Sequence, residues 1–264
     1  GLDFSGGGDF TATQYDLAVE TLIRHLTFET GGTNYANGLR LQADLTLGMD
    51  MDAQKYVFKD NLIRLNDLAL GFDGDVQLKE EDIITNVAFE AKETSFKNIL
   101  SLVPGVFTED FDDLETRGTL ALNGFARGTY NAYSIPAFEL NAKVQDGFFR
   151  YPDLPAPVSN VQLDVTAKNT TSDIAFTQIN LRKLHLEVEE NPIEARMKVD
   201  GLEKPILNGD VKANVDLEKL MRVFPMEGLE LKGNLLADVT VGGRLDPELE
   251  KLPIFMADVA LRYG

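Results

Sequence analysis

The sequence contains neither cysteine nor tryptophan. Without cysteine, no disulfide can hold the fold together, and no thiol can act as a nucleophile or a metal ligand. The absence of cysteine does not determine the cellular compartment of the protein, because an oxidising compartment permits disulfides without requiring them. Aromatic residues make up 9% of the chain. A sugar-binding cleft usually stacks aromatic rings on its ligand, so a carbohydrate-active β protein is the least favoured functional class.

Positive charge and long apolar runs are also scarce. The chain has 25 basic against 43 acidic residues, a formal net charge of -18. A nucleic acid would repel this surface, so nucleic-acid binding is not expected. No apolar run approaches the roughly 20 residues that span a bilayer, and no signal segment opens the chain. Because the chain opens on Gly1, we expect it to be a piece cut from a longer protein.

The sequence has the composition of a globular protein, and its apolar residues recur with a period of two. Hydrophobic residues make up 44% and charged residues 26%, enough to bury a core. Apolar and polar residues alternate in several segments, which predicts strands with one dry and one wet face, as in antiparallel sheet. The clearest segments are "GLRLQADLTLGM", "NVQLDVTA", "RKLHLEVEE" and "NLLADVTVGG". Turn signals such as "FDGD", "RGTYN" and "EENP" separate them.

Only two segments have the pattern of a helix. "SFKNILSLVP" and "DLEKLMRVFP" each open with a capping Ser or Asp and place apolar residues three to four apart. Each ends at a proline, Pro104 or Pro225. The sequence therefore predicts short helices near residues 95–103 and 216–224, which would plug or cap the sheet.

The chain also repeats itself. Residues 134 to 147 read "SIPAFELNAKVQDG", and the last fourteen residues read "KLPIFMADVALRYG". Glycines 31, 147 and 264 end similar phrases at spacings of 116 and 117, and Gly118 matches Gly233 at 115. We therefore predict two tandem repeats within one continuous domain. Residues 1–31 are leading strands or the end of a preceding repeat, residues 32–147 form the first unit, and residues 148–264 form the second.

Candidate catalytic and metal-binding residues are few. The two histidines, His25 and His185, each lie in a strand pattern, where a structural or surface role is more common than catalysis. The acidic segments "EDFDD" (109–113) and "MDMD" (49–52) lack the glycine and closing glutamate of a calcium loop. "DFSGGGDF" lacks the features of a phosphate loop, and Asn169 opens a glycosylation sequon. The sequence therefore predicts no enzyme, no metal and no cofactor.

Several longer phrases resemble the AsmA-like family of Gram-negative envelope proteins, in its Bacteroidetes form. The specific ones are "VQDGFFRYPDLPAPVSNVQLDV" and "FKNILSLVP", and the resemblance covers roughly residues 9 to 264. It implies a long antiparallel sheet in the periplasm, curled into an apolar groove that carries phospholipid towards the outer membrane. It also implies an inner-membrane helix in the full-length parent, which this chain lacks. The resemblance supplies no catalytic residues.

The apolar strand faces need cover, because a large exposed apolar patch is rare on a soluble domain. In an elongated, twisted sheet that curls into a groove, phospholipid acyl chains would cover them. In a closed sandwich or barrel, the faces would cover each other, and the protein would be a non-catalytic envelope scaffold. The alternating pattern predicts small aliphatic residues lining the groove: Leu120, Leu122, Leu163, Val165, Leu186, Leu235 and Val239.

Overall fold

The computed structural model describes residues 2–8, 13–30, 33–66, 68–92, 95–96, 115–150, 156–223, 231–246 and 252–262. Within these ranges almost all regular structure is strand. The strands are β1 (Leu2–Gly7), β2 (Gln14–Thr30), β3 (Thr33–Asp50), β4 (Lys55–Leu65), β5 (Leu68–Lys79), β6 (Asp82–Ala91), β7 (Glu115–Tyr130), β8 (Ala137–Arg150), β9 (Val158–Asn169), β10 (Gln178–Val188), β11 (Asn191–Asp200), β12 (Ile206–Asp216), β13 (Asn234–Arg244) and β14 (Ile254–Arg262).

These strands form one 14-stranded sheet in which each strand is hydrogen-bonded to its neighbours in the chain. Every pairing with a described register is antiparallel, from β1 with β2 to β13 with β14. The prediction of a mainly β, antiparallel fold is therefore confirmed. The predicted groove and the predicted tandem repeats stay predictions.

The second predicted helix is present as α1, Leu217–Val223. It begins where the sequence places its cap, because the Asp216 carboxylate accepts hydrogen bonds from the backbone N–H groups of Glu218 (3.0 Å) and Lys219 (3.1 Å). A single turn of 3₁₀ helix, Ile174–Phe176, connects β9 to β10. The helix predicted near residues 95–103 lies outside the described residues, apart from positions 95 and 96.

The chain divides into two compact units. The first comprises residues 1–111, 120–140 and 169–173, and holds β1 to β6 with most of β7. The second comprises residues 112–119, 141–168 and 174–264, and holds most of β8 and the strands β9 to β14. The predicted repeat boundaries at residues 32, 147 and 264 are untested by this division and stay predictions.

In the first unit the register places alternate apolar residues on one face. Val19 of β2 faces Leu45 of β3, and Ala43 of β3 faces Ile63 of β4. A bulge between β3 and β4 is held by the Asn61 side chain, which is 2% exposed and hydrogen-bonds both backbone polar groups of Thr46. Buried apolar residues of this unit include Val19, Ala43, Leu68, Ala69 and Leu120.

Two features of the backbone recur at the spacing that the sequence repeats. Gly128 and Gly243, 115 residues apart, both have positive φ angles (128° and 123°). A Cβ atom on either glycine would contact the Cα of a proline, Pro136 at 3.5 Å or Pro253 at 3.6 Å. The local backbone is therefore alike at these two hairpins.

Candidate functional site: the apolar face of β9 to β14

The register of the second unit assembles a continuous apolar surface from six strands. One row of facing residues runs from Val165 through Leu181, Met197, Gly209 and Val241 to Phe255. The next row runs from Leu163 through Leu184, Ala195, Val211 and Val239 to Ala257. A third row consists of Leu186, Ile193, Ala213, Ala237 and Val259. We call this surface the apolar face.

Rows at the two ends complete the apolar face. Towards the β11–β12 turn, Ile179 faces Val199, and Leu207 faces Val199 from the other side. At the other end, Leu235 lies between Val215 and Leu261. Asn191, which faces Val188, is a polar exception, and its side-chain oxygen accepts a hydrogen bond from the backbone N–H of Asp216 (2.6 Å). The face thus offers aliphatic side chains over most of its area.

Most side chains of the apolar face remain partly exposed to solvent. Val241 is buried, but Val211 is 37%, Leu261 46% and Val259 57% exposed. Within residues 156–223, 231–246 and 252–262, then, no second layer seals the face in the way that the facing sheet of a sandwich would. An apolar surface of this extent is unusual on a soluble protein unless a ligand or partner covers it.

The opposite side of the same strands is charged and internally paired. Arg196 of β11 contacts Asp210 of β12 at 2.9 Å, and Lys212 of β12 contacts Asp238 of β13 at 2.9 Å. The hydrogen bond and the charge of Asp238 raise the pKa of Lys212 above its ordinary value. These cross-strand pairs make this side of the sheet charged, so the apolar face is the chemically distinct surface.

A cleft on the charged side holds the second histidine. His185 lies between two glutamates, with Nε2 3.4 Å from Glu187 and Nδ1 3.3 Å from Glu194. The cleft has a volume of about 410 Å³ and is also lined by Arg182, Arg196 and other charged residues of β10 to β12. Its arginines are paired, Arg182 with Asp164 and Arg196 with Asp210. The arrangement resembles a surface charge network more than a catalytic centre.

The structure brings five of the seven predicted lining residues together. Leu163, Val165, Leu186, Leu235 and Val239 all lie on the apolar face. Leu120 and Leu122 belong to β7 in the first unit. They alternate in step with Gly124 and Ala126, which pair with Phe89 and Val87 of β6. Leu120 is fully buried and Leu122 partly exposed. That these residues contact lipid stays a prediction.

The seven predicted lining residues include none from three strands of the face, β11, β12 and β14. β11 and β12 contribute Ile193, Met197, Val199, Leu207 and Val211, with a polar or charged residue between most neighbours. β14 contributes Phe255, Val259 and Leu261. The alternation in "PIEARMKVD" and "LNGDVKANV" is the signal that could have found β11 and β12. Small residues such as Ala195, Gly209 and Ala213 weaken it.

Other candidates from the sequence have structural roles or lie elsewhere. Asp50 accepts hydrogen bonds from the Ala53 backbone N–H and from the Gln14 side chain, both at 2.8 Å, so it closes the β3–β4 turn. His25 is exposed in β2. The acidic segment 109–113 lies outside the described residues. In the described part of the chain, no three histidine, aspartate or glutamate side chains converge as metal ligands would.

The glycosylation sequon is not accessible in the folded chain. Asn169 is 1% exposed, and its amide nitrogen donates to the backbone oxygen of Asp173 at 2.7 Å. Its side-chain oxygen accepts hydrogen bonds from the backbone N–H (2.7 Å) and the hydroxyl (2.8 Å) of Thr171. Asn169 therefore organises the β9–β10 turn, and a glycan on its amide would require the turn to open.

Among the described residues, no helix has both the length and the apolar character needed to cross a bilayer. Comparison of the chain with protein-family models, with curated proteins and with solved structures finds no match.

Proposed function

We propose that the chain binds phospholipid acyl chains along the apolar face. The observation that carries the proposal is the continuity of that face: five consecutive ladders place aliphatic residues opposite aliphatic residues, and most of them stay partly exposed. The charged groups of the same strands lie on the other side, where they pair with each other. The proposal includes no catalytic step and no cofactor.

The energetics favour an acyl chain as the covering ligand. Removing apolar surface from water contributes about 25 cal/mol per Å², or about 0.8 kcal/mol per methylene. An acyl chain lying across several strands therefore gains several kcal/mol. Because the inner rows present no charged side chain, nothing on them would select a headgroup, and we expect binding to be non-selective among phospholipids.

The family resemblance extends the proposal to a cellular role. We propose that the chain is a periplasmic part of an AsmA-like protein, that the full-length parent is anchored in the inner membrane, and that it serves outer-membrane biogenesis. The mainly β antiparallel sheet is compatible with that family. Fractionation of the parent organism should place the full-length protein in the inner-membrane fraction, and protease added outside intact spheroplasts should digest this segment. A segment that stays protected from the protease would disprove the location.

The test of acyl-chain binding is lipid extraction and native mass spectrometry on the purified chain and on charged variants. Leu163→Asp and Val239→Asp each place a carboxylate on the apolar face. Leaving a carboxylate unpaired against an acyl chain is costly, so we expect both variants to lose lipid while they stay folded. Folding is checked by far-UV circular dichroism and thermal melting.

Gln162→Asp is the matched control, because it puts the same carboxylate on the neighbouring residue, which faces the charged side near Lys183. We expect this variant to retain lipid and to melt like the wild type. If the wild type carries no lipid and both face variants fail to fold while the control folds, the apolar face is a closed core. The non-catalytic scaffold would then be the correct interpretation.

A further inference from the structure

The turns next to one end of the apolar face expose three large apolar side chains. Ile174 and Phe176 lie in the 3₁₀ turn between β9 and β10, and Leu202 follows β11. Their exposed fractions are 49%, 62% and 44%. We call these three residues the hairpin ridge.

The hairpin ridge is held in place by hydrogen bonds between the two turns. The backbone N–H of Gly201 donates to the Thr177 oxygen, and that of Leu202 donates to the Ala175 oxygen, both at 2.9 Å. Thr177 is 4% exposed and closes the 3₁₀ turn through bonds from its N–H (3.0 Å) and hydroxyl (2.7 Å) to the Ile174 oxygen. The exposed apolar side chains are therefore presented by a fixed backbone.

Gly201 allows the two turns to approach. Its φ angle is +83°, and a Cβ atom would lie 3.1 Å from the Ala175 oxygen. A side chain at this position would be strained by both the backbone conformation and the contact. Glycine at position 201 thus permits the close contact between the two turns. That contact holds the three apolar side chains of the hairpin ridge towards solvent.

The hairpin ridge is continuous with the apolar face. Strand β10 starts two residues after Phe176, and its first apolar residue, Ile179, faces Val199. Val199 lies three residues before Leu202 in the same hairpin. An acyl chain that reached the ridge would therefore meet the end of the apolar face without crossing a charged row of the sheet.

Charge and size together indicate which partner fits the ridge. The exposed acidic residues beside it are Asp200 at the end of β11 and Glu203 in the β11–β12 turn, while the charge of Lys204 is balanced by Asp246 at 3.4 Å. An anionic surface would be repelled. Three side chains also supply far less than the roughly 800 Å² per partner that a stable protein interface buries. A fluid, neutral membrane interface requires no such area and no matching shape.

We propose that the hairpin ridge inserts into the interface of a zwitterionic phospholipid bilayer and so places the end of the apolar face against the membrane. This rests on the proposed function for its purpose, since the insertion would let acyl chains pass between bilayer and protein. The insertion itself is a separate property, because it depends on Ile174, Phe176 and Leu202 rather than on the strand rows.

The test uses the absence of tryptophan from the chain. Phe176→Trp introduces a single fluorophore into the ridge, and Met51→Trp, at an exposed turn residue of the first unit, is the control. With phosphatidylcholine vesicles, we expect a blue shift and quenching by brominated acyl chains for Phe176→Trp, and no change for Met51→Trp. Unchanged emission of Phe176→Trp overturns the proposal.

A second measurement is vesicle flotation of the triple variant Ile174→Ser, Phe176→Ser, Leu202→Ser. We expect at least about tenfold weaker binding to phosphatidylcholine, since each residue loses apolar area buried in the interface. Met51→Ser should bind like the wild type. At low salt, binding to phosphatidylglycerol vesicles should be weaker than to phosphatidylcholine, with the difference shrinking at high salt. Stronger binding to the anionic vesicles, or full binding by the triple variant, overturns the proposal.

Native mass spectrometry of the same proteins separates the two proposals. If the ridge inserts but the wild type carries no lipid, the acyl-chain function fails and the ridge proposal stands. If the wild type carries lipid and Phe176→Trp does not respond to vesicles, the ridge proposal fails and the function stands. When both hold, the triple variant should retain its bound lipid but exchange it with vesicles more slowly.

Discussion

At the scale of single residues, close backbone contacts restrict the sequence more tightly than the apolar pattern does. Gly118 of β7 has a φ angle of +115°. A Cβ atom there would lie 2.7 Å from the Cα of Gly147 and 2.8 Å from the backbone oxygen of Asp146. Position 118 therefore requires glycine for two independent reasons, conformation and space. The sequence match of Gly118 with Gly233, which also has a positive φ angle, follows from the same kind of backbone.

Replacing Gly118 with alanine should destabilise the fold. We expect Gly118→Ala to lower the free energy of unfolding by about 2–3 kcal/mol, through backbone strain and displacement of β8. Gly242→Ala is the control, because a Cβ atom at Gly242 would have no neighbour within 4 Å. It should change stability by less than about 1 kcal/mol. Urea unfolding followed by circular dichroism measures both, and equal midpoints for the two variants would contradict the argument.

At the scale of elements, period-two alternation predicted a mainly β, antiparallel fold, which the structure confirms. It was not sufficient to predict every face. In β10, Leu181 and Leu184 are three residues apart, so strict alternation puts them on opposite faces. A bulge between them places both on the apolar face, opposite Val165 and Leu163. Bulges depend on the neighbouring strands, which is why local sequence did not reveal this one.

The helix α1 was predictable from its cap and its stop signal, but its attachment was not. The Leu217 backbone N–H donates to the Gly233 oxygen at 2.9 Å, and the Leu217 side chain is buried. The Lys219 ammonium forms an ion pair with Glu190 in the β10–β11 turn. Glu190 and Lys219 are 29 residues apart, a pairing that depends on the register of three strands. Helix α1 is thus fixed to the end of the apolar face by one buried side chain and one surface ion pair.

The attachment of helix α1 should depend on pH in a defined window. The hydrogen bond and charge of Lys219 lower the pKa of Glu190 below its ordinary value of 4.5, and Glu190 raises the pKa of Lys219 above 10.5. The carboxylate's contribution is present above pH 4.5 and is lost as the pH falls through its lowered pKa. The ammonium's contribution is present below pH 10.5 and is lost as the pH rises through its raised pKa. The contribution is therefore constant around neutrality.

Lys219→Ala tests this window. We expect faster hydrogen exchange, relative to the intrinsic rate, for the α1 amides of the variant than for wild type at pH 7. The difference should shrink as the pH falls below 4.5 and through the lowered pKa of Glu190. It should also shrink in 1 M salt, because exposed ion pairs are screened. A difference that does not shrink as the acidic limb is titrated would mean that Lys219 stabilises the helix through its alkyl chain and not through its charge.

At the scale of the whole molecule, sequence alone predicted the fold class, because it follows from the local alternation of apolar and polar residues. The same alternation placed five of the seven predicted lining residues on the apolar face, and their contact with lipid stays a prediction. Whether another part of the molecule or a ligand covers the apolar face could not be predicted. The alternation of residues within a strand shows which side is apolar, but not what packs against that side. The described structure leaves much of this face partly exposed. The edge strand β14 is exposed at all nine positions, including Phe255 and Met256. Such a surface needs a mechanism that prevents self-association.

We expect the net charge of -18 to oppose self-association, and acid removes that charge. The sequence has an isoelectric point of about 4.5, so repulsion between molecules vanishes near that pH. We expect the lipid-free chain to associate reversibly near pH 4.5, seen as maximal light scattering, while far-UV circular dichroism still reports strand. A non-ionic detergent or short-chain phosphatidylcholine should suppress the association, because either one covers the apolar face without changing the charge of the protein. If the lipid-free chain stays monomeric at pH 4.5, or if neither amphiphile reduces the scattering, the apolar face is not the surface that associates, and its availability to acyl chains is contradicted.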